Sequence, residues 1–270
     1  MAPMTVRVLA PNPGLMTGTG TNTYLVHGDT HEPDVVVVDP GPDDPRHLAA
    51  ILEAARPLGR IAACLVTHRH TDHLPGAVAL RAQVGPPIVG HPLLPGVDQA
   101  LPDRAAFATG SNSWLVALHT PGHTDDSVCF WDSSSRGLFT GDLIAGAGTV
   151  VVDETPGGMA RYMASLRRLR QLGPCTIHPG HGPLVADGQA TIQQYIDHRD
   201  ARERQILALL ADGPITVDML VGRLYATIVP ELASMAARNV RAHLGKLADE
   251  GRAQAVDETW RLASAAGRST

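Results

Sequence analysis

The stretch THRHTDH (67–73) decides how the rest of this sequence is interpreted. Four side chains that can bind a metal fall within six residues of it: His68, His70, Asp72 and His73. The stretch follows directly on a short apolar run, ACLVT (63–67), which is typical of a buried strand. Imidazole and carboxylate groups suit zinc and related divalent ions. A loop at a strand end can turn alternate residues toward one point, so the pattern predicts a site for two metal ions.

Single residues of the same kind recur farther along the chain. His123 stands in TPGH, Asp142 in TGD and His181 in PGHG, each after a predicted strand and beside a glycine. Glycine lets the backbone approach a bound ion closely. An aspartate between two sets of histidines is what a carboxylate bridging two metals requires. The alternative is a solvated loop that contains histidines by chance, and it does not explain this recurrence.

The first 196 residues are predicted to alternate strands and helices in one α/β domain. Helices are predicted at 42–58 and 158–172. The predicted strands are short and apolar, at 35–39, 63–67, 88–91, 114–120, 127–131, 137–142 and 175–178. The predicted ligands therefore all lie on loops that follow strands.

The composition changes near residue 197, which predicts a second domain over 197–264 and a tail over 265–270. Three helices and a hairpin, the order typical of a winged helix, are predicted at 201–212, 215–225, 230–251 and 254–263. Acidic and basic residues are equal in number from 197 onward, whereas a winged helix that reads DNA usually has a basic face. The charge favours a packing or dimerisation module, with a homodimer as the expected assembly.

Bulk composition excludes several classes of protein. The net charge of −5 gives no general attraction to nucleic acid or to an anionic membrane. No apolar run approaches the roughly 20 residues of a membrane span, and the N-terminus lacks an apolar signal core. Three cysteines, an odd and sparse set, predict buried thiols in a reducing, cytoplasmic compartment. Lys246 is the only lysine, and this bias toward arginine is typical of a GC-rich, bacterial genome.

In order along the chain, Asp39, THRHTDH, PGH, GD and PGHG resemble the five motifs of the metallo-β-lactamase superfamily. The resemblance implies a four-layer αβ/βα sandwich and two zinc ions. It implies that His68, His70 and His123 bind the first ion, that Asp72, His73 and His181 bind the second, and that Asp142 bridges them. Asp39 would support the site from behind the ligands. The histidine at position 70, where a glutamate would stand in the diiron redox branch, resembles the zinc hydrolase branch.

A narrower resemblance extends over nearly the whole chain. GTNTYLV (20–26), TPGHTDDS (120–127), GDLIAGAGT (141–149) and YIDHRDARERQI (195–206) are similar to the β-lactamase-like protein 2 group, which also carries a C-terminal winged helix. The resemblance implies cleavage of single-stranded RNA, the activity of the animal members of that group. Its bacterial members are hydrolases of unspecified substrate. Arg69 and the arginines of 158–172 would then line an RNA cleft.

The predicted mechanism uses a hydroxide that bridges two zinc ions, or other divalent ions, with Asp72 and Asp142 as the catalytic carboxylates. Such a pair can open a phosphodiester, a thioester, a lactone or a β-lactam, so the ligands fix the reaction type and not the substrate. Single-stranded RNA ranks just ahead of a small thioester, as in glyoxalase II. A non-enzymatic winged-helix binding module and a diiron redox protein are the alternatives from other classes. Asn22 and His178 are weaker candidates for substrate binding.

Overall fold

The computed structural model describes residues 4–28, 34–110 and 113–263. The N-terminal half forms a six-stranded sheet in the order β1 to β6. Its strands are β1 (Met4–Leu9), β2 (Asn22–His27), β3 (Asp34–Val38), β4 (Arg60–Val66), β5 (Ile88–Gly90) and β6 (Gln99–Ala100). The first three strands pair antiparallel, and β3 to β6 pair parallel. The parallel strands deliver their C-terminal ends to one edge of the sheet.

A second sheet of five strands has the order β11-β10-β9-β8-β7. Its strands are β7 (Ala106–Gly110), β8 (Ser113–His119), β9 (Val128–Asp132), β10 (Gly137–Gly141) and β11 (Thr176–Pro179). Strands β7 to β10 are antiparallel, while β10 and β11 are parallel, so the loops after β10 and β11 leave from the same end.

Helices cover the outer faces of both sheets. They are α1 (Pro45–Ala55), α2 (Pro75–Val84), α3 (Gly158–Arg170) and α4 (Gly188–Ala211). The α1 helix begins at Asp44, whose carboxylate accepts from the backbone amides of Arg46 and His47. The α2 helix ends at Gly85, whose φ of 83° is a left-handed C-cap that suits glycine.

Three apolar clusters separate the layers, which gives the predicted αβ/βα sandwich. The VVVV run of β3 explains two of them, because alternate residues of a strand point to opposite faces. Val35 and Val37 pack with α1 and α2, whereas Val36 and Val38 face the second sheet, where Phe130 also lies. The third cluster joins the outer face of the second sheet to α3 and α4. The three cysteines are free and buried, as predicted.

The C-terminal module contains the predicted helices and hairpin. Its elements are α5 (Val217–Leu224), a 3₁₀ turn (Pro230–Leu232), α6 (Ala233–Asp249), β12 (Ala253–Val256) and β13 (Thr259–Leu262). Thr216 caps α5 by accepting from the Met219 amide. The module has its own apolar cluster, which includes Ile206 and Leu210 from the end of α4. The α4 helix therefore belongs to the cores of both the sandwich and the module.

Several elements differ from the prediction. The α2 helix and the strands β1, β6 and β7 were not predicted, and α4 begins at Gly188 rather than at 201. Because α4 runs through the predicted boundary between residues 196 and 197, the two predicted domains share a continuous helix. The predicted tail at 265–270 lies outside the described residues. Within the described ranges, no helix is both long enough and apolar enough to cross a membrane.

Candidate metal centre

The seven predicted ligands lie on four loops that follow strands of both sheets. The candidate ligands after β4 are His68, His70, Asp72 and His73, and single candidates follow β8 (His123), β10 (Asp142) and β11 (His181). The sheets approach each other at this end, where the Val128 amide donates to the Thr67 carbonyl over 2.8 Å. The loops of the two sheets therefore converge, and all seven side chains gather into two adjoining groups.

The first group consists of His68, His70, His123 and Asp142, with ligand atoms within 4.8 Å of one another. Nδ1 of His70 lies 3.0 Å from Nε2 of His68 and 3.0 Å from Nε2 of His123. Asp142 Oδ2 lies 3.7 Å from the His123 nitrogen and 4.0 Å from that of His68. Ligand atoms at the corners of a tetrahedron around zinc stand about 3.3 Å apart. The spacing of this group fits such an ion.

The second group consists of Asp72, His73 and His181. Asp72 Oδ2 lies 3.1 Å from Nε2 of His181 and 3.7 Å from Nε2 of His73. The other oxygen of Asp142, Oδ1, lies 3.3 Å from His181 Nε2 and 3.4 Å from His73 Nε2. The two oxygens of Asp142 therefore face different groups, which is the arrangement a bridging carboxylate needs.

The histidine rings are oriented by oxygen atoms on the side away from the groups. The pairs are His68 Nδ1 with Thr67 Oγ1 at 3.0 Å, His73 Nδ1 with Asp39 Oδ2 at 2.8 Å, His123 Nδ1 with the Val151 carbonyl at 2.8 Å, and His181 Nδ1 with the Gly20 carbonyl at 3.4 Å. A ring that donates from Nδ1 keeps the lone pair on Nε2. In each of these four rings, Nε2 faces a candidate ion position, as in metal sites whose ligands are held by outer hydrogen bonds.

Asp39 ties the end of β3 to the ligand loop. Its Oδ1 accepts from the Thr67 amide, and its Oδ2 accepts from both the Thr67 hydroxyl and His73 Nδ1, all within 2.7–2.8 Å. Asp39 is buried and has a left-handed φ of 48°, which aspartate tolerates better than most residues. The first of the five motifs thus supports His73 directly and His68 through Thr67.

Two glycines of the motifs leave no space for a side chain. A Cβ on Gly180 would lie 2.6 Å from Asp142 Oδ1 and 2.7 Å from His73 Cε1. Gly141 has a left-handed φ of 48°, and a Cβ there would overlap the Thr67 side chain. The glycines of GD and PGHG are therefore required by the close approach of the backbone to the ligands.

The charges of the site also suit a cation. Burial lowers the pKa of His68 well below its usual value and that of His70 to about 4. Burial alone would raise the pKa of Asp142, but its histidine neighbours outweigh this and hold the pKa well below the usual range. Asp142 Oδ1 and His73 Nε2 are buried without a hydrogen-bond partner among the described residues. A divalent ion between such atoms would satisfy both, so the residues present fit the predicted metal pair.

Asn22 and His178, the two weaker candidates for substrate binding, have structural contacts of different kinds. The Asn22 amide donates to the carbonyls of Pro179 and Gly182, each at 2.9 Å, and so holds the loop that carries His181. His178 stacks on Phe139, with ring centroids 4.6 Å apart, and its ring does not border the cavity beside the ligands. Neither residue belongs to the two ligand groups.

A cavity of about 420 Å³ opens beside His123, Asp142 and His181. Its other walls come from Leu15 and Met16, from the segment after Asp142, and from the C-terminal module. The sequence reasoning did not find these walls, since no motif marks them. It also missed the orienting role of Thr67, although Thr67 stands inside the quoted ligand motif.

Comparison with known proteins agrees with this architecture. Residues 16–181 match the family described as the metallo-beta-lactamase superfamily, and residues 216–260 match the beta-lactamase associated winged helix domain. The chain therefore belongs to the metallo-β-lactamase superfamily, in which it is a hydrolase with a C-terminal winged helix.

Relatives of two kinds are similar over most of the chain. The chain is 33% identical to the beta-lactamase-like protein 2 homolog of Drosophila melanogaster, over 92% of this chain and 88% of that one. It is 35% identical to an atrochrysone carboxyl ACP thioesterase of Aspergillus fumigatus, over 78% of this chain and 66% of that one. A solved beta-lactamase domain protein from Burkholderia ambifaria shares the fold, with a TM-score of 0.83 at 19% identity over 96% of this chain and 91% of that one.

Proposed function

We propose that this chain is a dinuclear zinc hydrolase whose substrates are thioesters. The observation that carries the proposal is Asp142, whose two oxygens face two separate sets of ligands within 4.0 Å. His68, His70 and His123 would hold one ion and Asp72, His73 and His181 the other. When bound, such a pair activates water at neutral pH and polarises the attacked carbonyl.

The protein orients the side chains that would bind the metal ions and shields them partly from solvent. His68 and His73 are buried, and hydrogen bonds behind the rings fix their tautomers before substrate arrives. Asp72 is the more exposed of the two catalytic carboxylates, and its Oδ2 lies 3.5 Å from the Thr21 hydroxyl. Thr21 would hold Asp72 in position, and Asp72 stands where a proton can pass from the site to solvent.

The charge around the cavity favours a thioester over RNA, which reverses the ranking from sequence. Among the residues that the structure describes, no lysine or arginine lines the cavity beside the ligands. Four of the five arginines expected to bind RNA are paired with aspartates: Arg69 with Asp125 and Asp126, Arg161 with Asp153, Arg167 with Asp200, and Arg168 with Asp103. The fifth, Arg170, donates to the side-chain oxygen of Gln193. The described part of the cavity therefore offers a polyanion no wall of cationic side chains. The thioesterase name of the fungal relative supports the same choice.

The test measures metal content and two activities on one preparation. We expect two zinc ions per chain by elemental analysis, hydrolysis of acyl pantetheine thioesters, and loss of both zinc and activity after chelation. Labelled single-stranded RNA is incubated in parallel, with Asp142→Ala as the inactive control for both substrates. Cutting of RNA without thioester turnover would overturn the substrate, and protein that retains no metal after reconstitution would overturn the mechanism.

A further inference from the structure

The cavity beside the ligands has two apolar walls that are distant in sequence. One wall is the β1–β2 loop, which presents Leu15 and Met16. The other is the C-terminal module, whose Ile228, Leu232 and Met235 face the same space. His123, Asp142 and His181 close the end between the walls, so any molecule in the cavity touches the candidate reaction centre.

We propose that this cavity is the acyl pocket of the enzyme, and that Tyr225, Ile228, Leu232, Met235 and Ala236 of the C-terminal module form its specificity wall. The inference rests on the proposed thioesterase function and names its substrate class: thioesters of apolar acyl groups of intermediate length. The carbonyl would lie at the ligand end, and the hydrocarbon chain would extend between the loop and the module.

The chemistry of the lining supports an apolar occupant. Apart from the three ligands, the polar side chains of the lining are those of Asn239, Thr149 and Tyr225. The Asn239 amide is already engaged with the backbone of Val150 and Val152, and the Thr149 hydroxyl accepts from Arg199 over 2.9 Å. A pocket of about 420 Å³ lies within the usual range for small-molecule sites. A charged or strongly hydrated substrate would lose its water here and gain few partners in exchange, whereas a hydrocarbon chain has no such water to lose.

The loop wall exposes apolar side chains in a fixed conformation. The Leu15 and Met16 side chains are 64% and 50% exposed. The loop is nevertheless ordered by paired backbone hydrogen bonds between Gly14 and Gly18 and by hydrogen bonds between Asn12 and Thr21. Both side chains expose apolar surface to water at the mouth of an apolar cavity. A ligand that covers this surface gains binding free energy from removing it from water.

The module wall is anchored independently of any ligand. The Arg202 guanidinium stacks on the Tyr225 ring at 4.1 Å and donates to the Leu224 carbonyl at 2.9 Å. Asn239 of α6 joins the module to the segment that borders the cavity. The wall is therefore preformed. Substitutions of its side chains should change the width of the pocket and leave the geometry of the ligand groups largely unchanged.

The experiment varies acyl length and pocket width together. Zinc-loaded protein is assayed with acetyl, octanoyl and palmitoyl pantetheine, and we expect octanoyl to have the highest kcat/KM. Ile228→Trp and Leu232→Trp narrow the pocket and should lower kcat/KM for octanoyl by about tenfold or more relative to acetyl. Val229→Trp is the matched control, because Val229 is an exposed neighbour that does not line the cavity, and it should leave this ratio unchanged.

A binding measurement separates the pocket from the reaction. The non-hydrolysable thioether analogue of octanoyl pantetheine is titrated calorimetrically into the same zinc-loaded variants. Binding that is weakened by Leu232→Trp and not by Val229→Trp supports the pocket even if hydrolysis of thioesters is absent and the proposed function fails. Hydrolysis without any preference among acyl lengths, or binding that the tryptophan variants leave unchanged, overturns the pocket while the proposed function stands. An absence of both binding and hydrolysis overturns both.

Discussion

The ligand loops and the C-terminal module border the same cavity but are specified in different ways. Each ligand loop is a short motif at a strand end, in which one glycine or one aspartate sets the geometry over a few residues. The module wall depends on how α4, α6 and the turn before α6 pack against the sandwich. Chemistry that is encoded locally is readable in the sequence, while a specificity surface that arises from packing is not.

The largest effect should follow from Asp142→Ala, because this carboxylate faces both ligand groups. We expect kcat to fall by about a thousandfold or more, as when a metal-assisted reaction loses several kcal/mol of charge stabilisation. Zinc content, measured on the same sample, should fall below two per chain. The matched control is Asp43→Ala, an exposed aspartate outside both groups. Full activity of the Asp142 variant would remove the basis for the dinuclear site.

A smaller effect should follow from Asp39→Ala, which leaves every ligand in place. The variant removes the acceptor of His73 Nδ1 and of the Thr67 amide and hydroxyl. Loss of such an outer partner costs about 10–100-fold in metal affinity or activity. Competition with a chromophoric chelator measures the zinc affinity directly. An unchanged zinc affinity would show that the ligand loop holds its geometry without Asp39.

The contrast between short motifs and surfaces formed by packing also explains which features could be predicted from the sequence. THRHTDH, PGH, GD and PGHG carry the candidate ligands and the required glycines within a few positions of each other, so the gathering of these side chains at one place was predictable. Strand β1 was not, because Met4–Leu9 is mostly half-exposed at a sheet edge and carries no buried apolar run. The Val151 carbonyl that orients His123 gives no signal, since any residue supplies a carbonyl. The cytoplasmic location, the bacterial source and the homodimer remain predictions of the sequence.

Asn239→Ala tests the link between the two regions. The Asn239 side chain of α6 accepts from the Val152 amide at 3.0 Å, next to the Val151 carbonyl that orients His123. Removing it leaves a buried amide unpaired, which should lower the free energy of unfolding by about 1–3 kcal/mol. Urea unfolding measures this loss, with Ser234→Ala on the exposed side of α6 as the control. An unfolding free energy equal to that of the parent would mean that the module does not support the ligand segment.

The smallest effect concerns acid stability and separates the module from the ligand loops. His243 of α6 is buried, and neither ring nitrogen has a hydrogen-bond partner among the described residues. Burial, reinforced by the charges of Arg199, Lys246 and Arg202, holds the pKa of His243 well below its usual value. The unfolded chain therefore takes up a proton near pH 6.5 that the folded chain refuses, and stability is lost as the pH falls below that value.

Replacing His243 with leucine removes this proton uptake and leaves an apolar side chain of similar size in the module. Between pH 7 and pH 5, the parent should lose up to about 2 kcal/mol more unfolding free energy than the variant, at no more than roughly 1.4 kcal/mol per pH unit. Urea unfolding with chelator present keeps zinc release from contributing. Because His243 belongs to neither ligand group, zinc affinity at pH 7 should be the same in both proteins. Parallel acid sensitivity in the parent and the variant would place the titrating group in the sandwich rather than in the module.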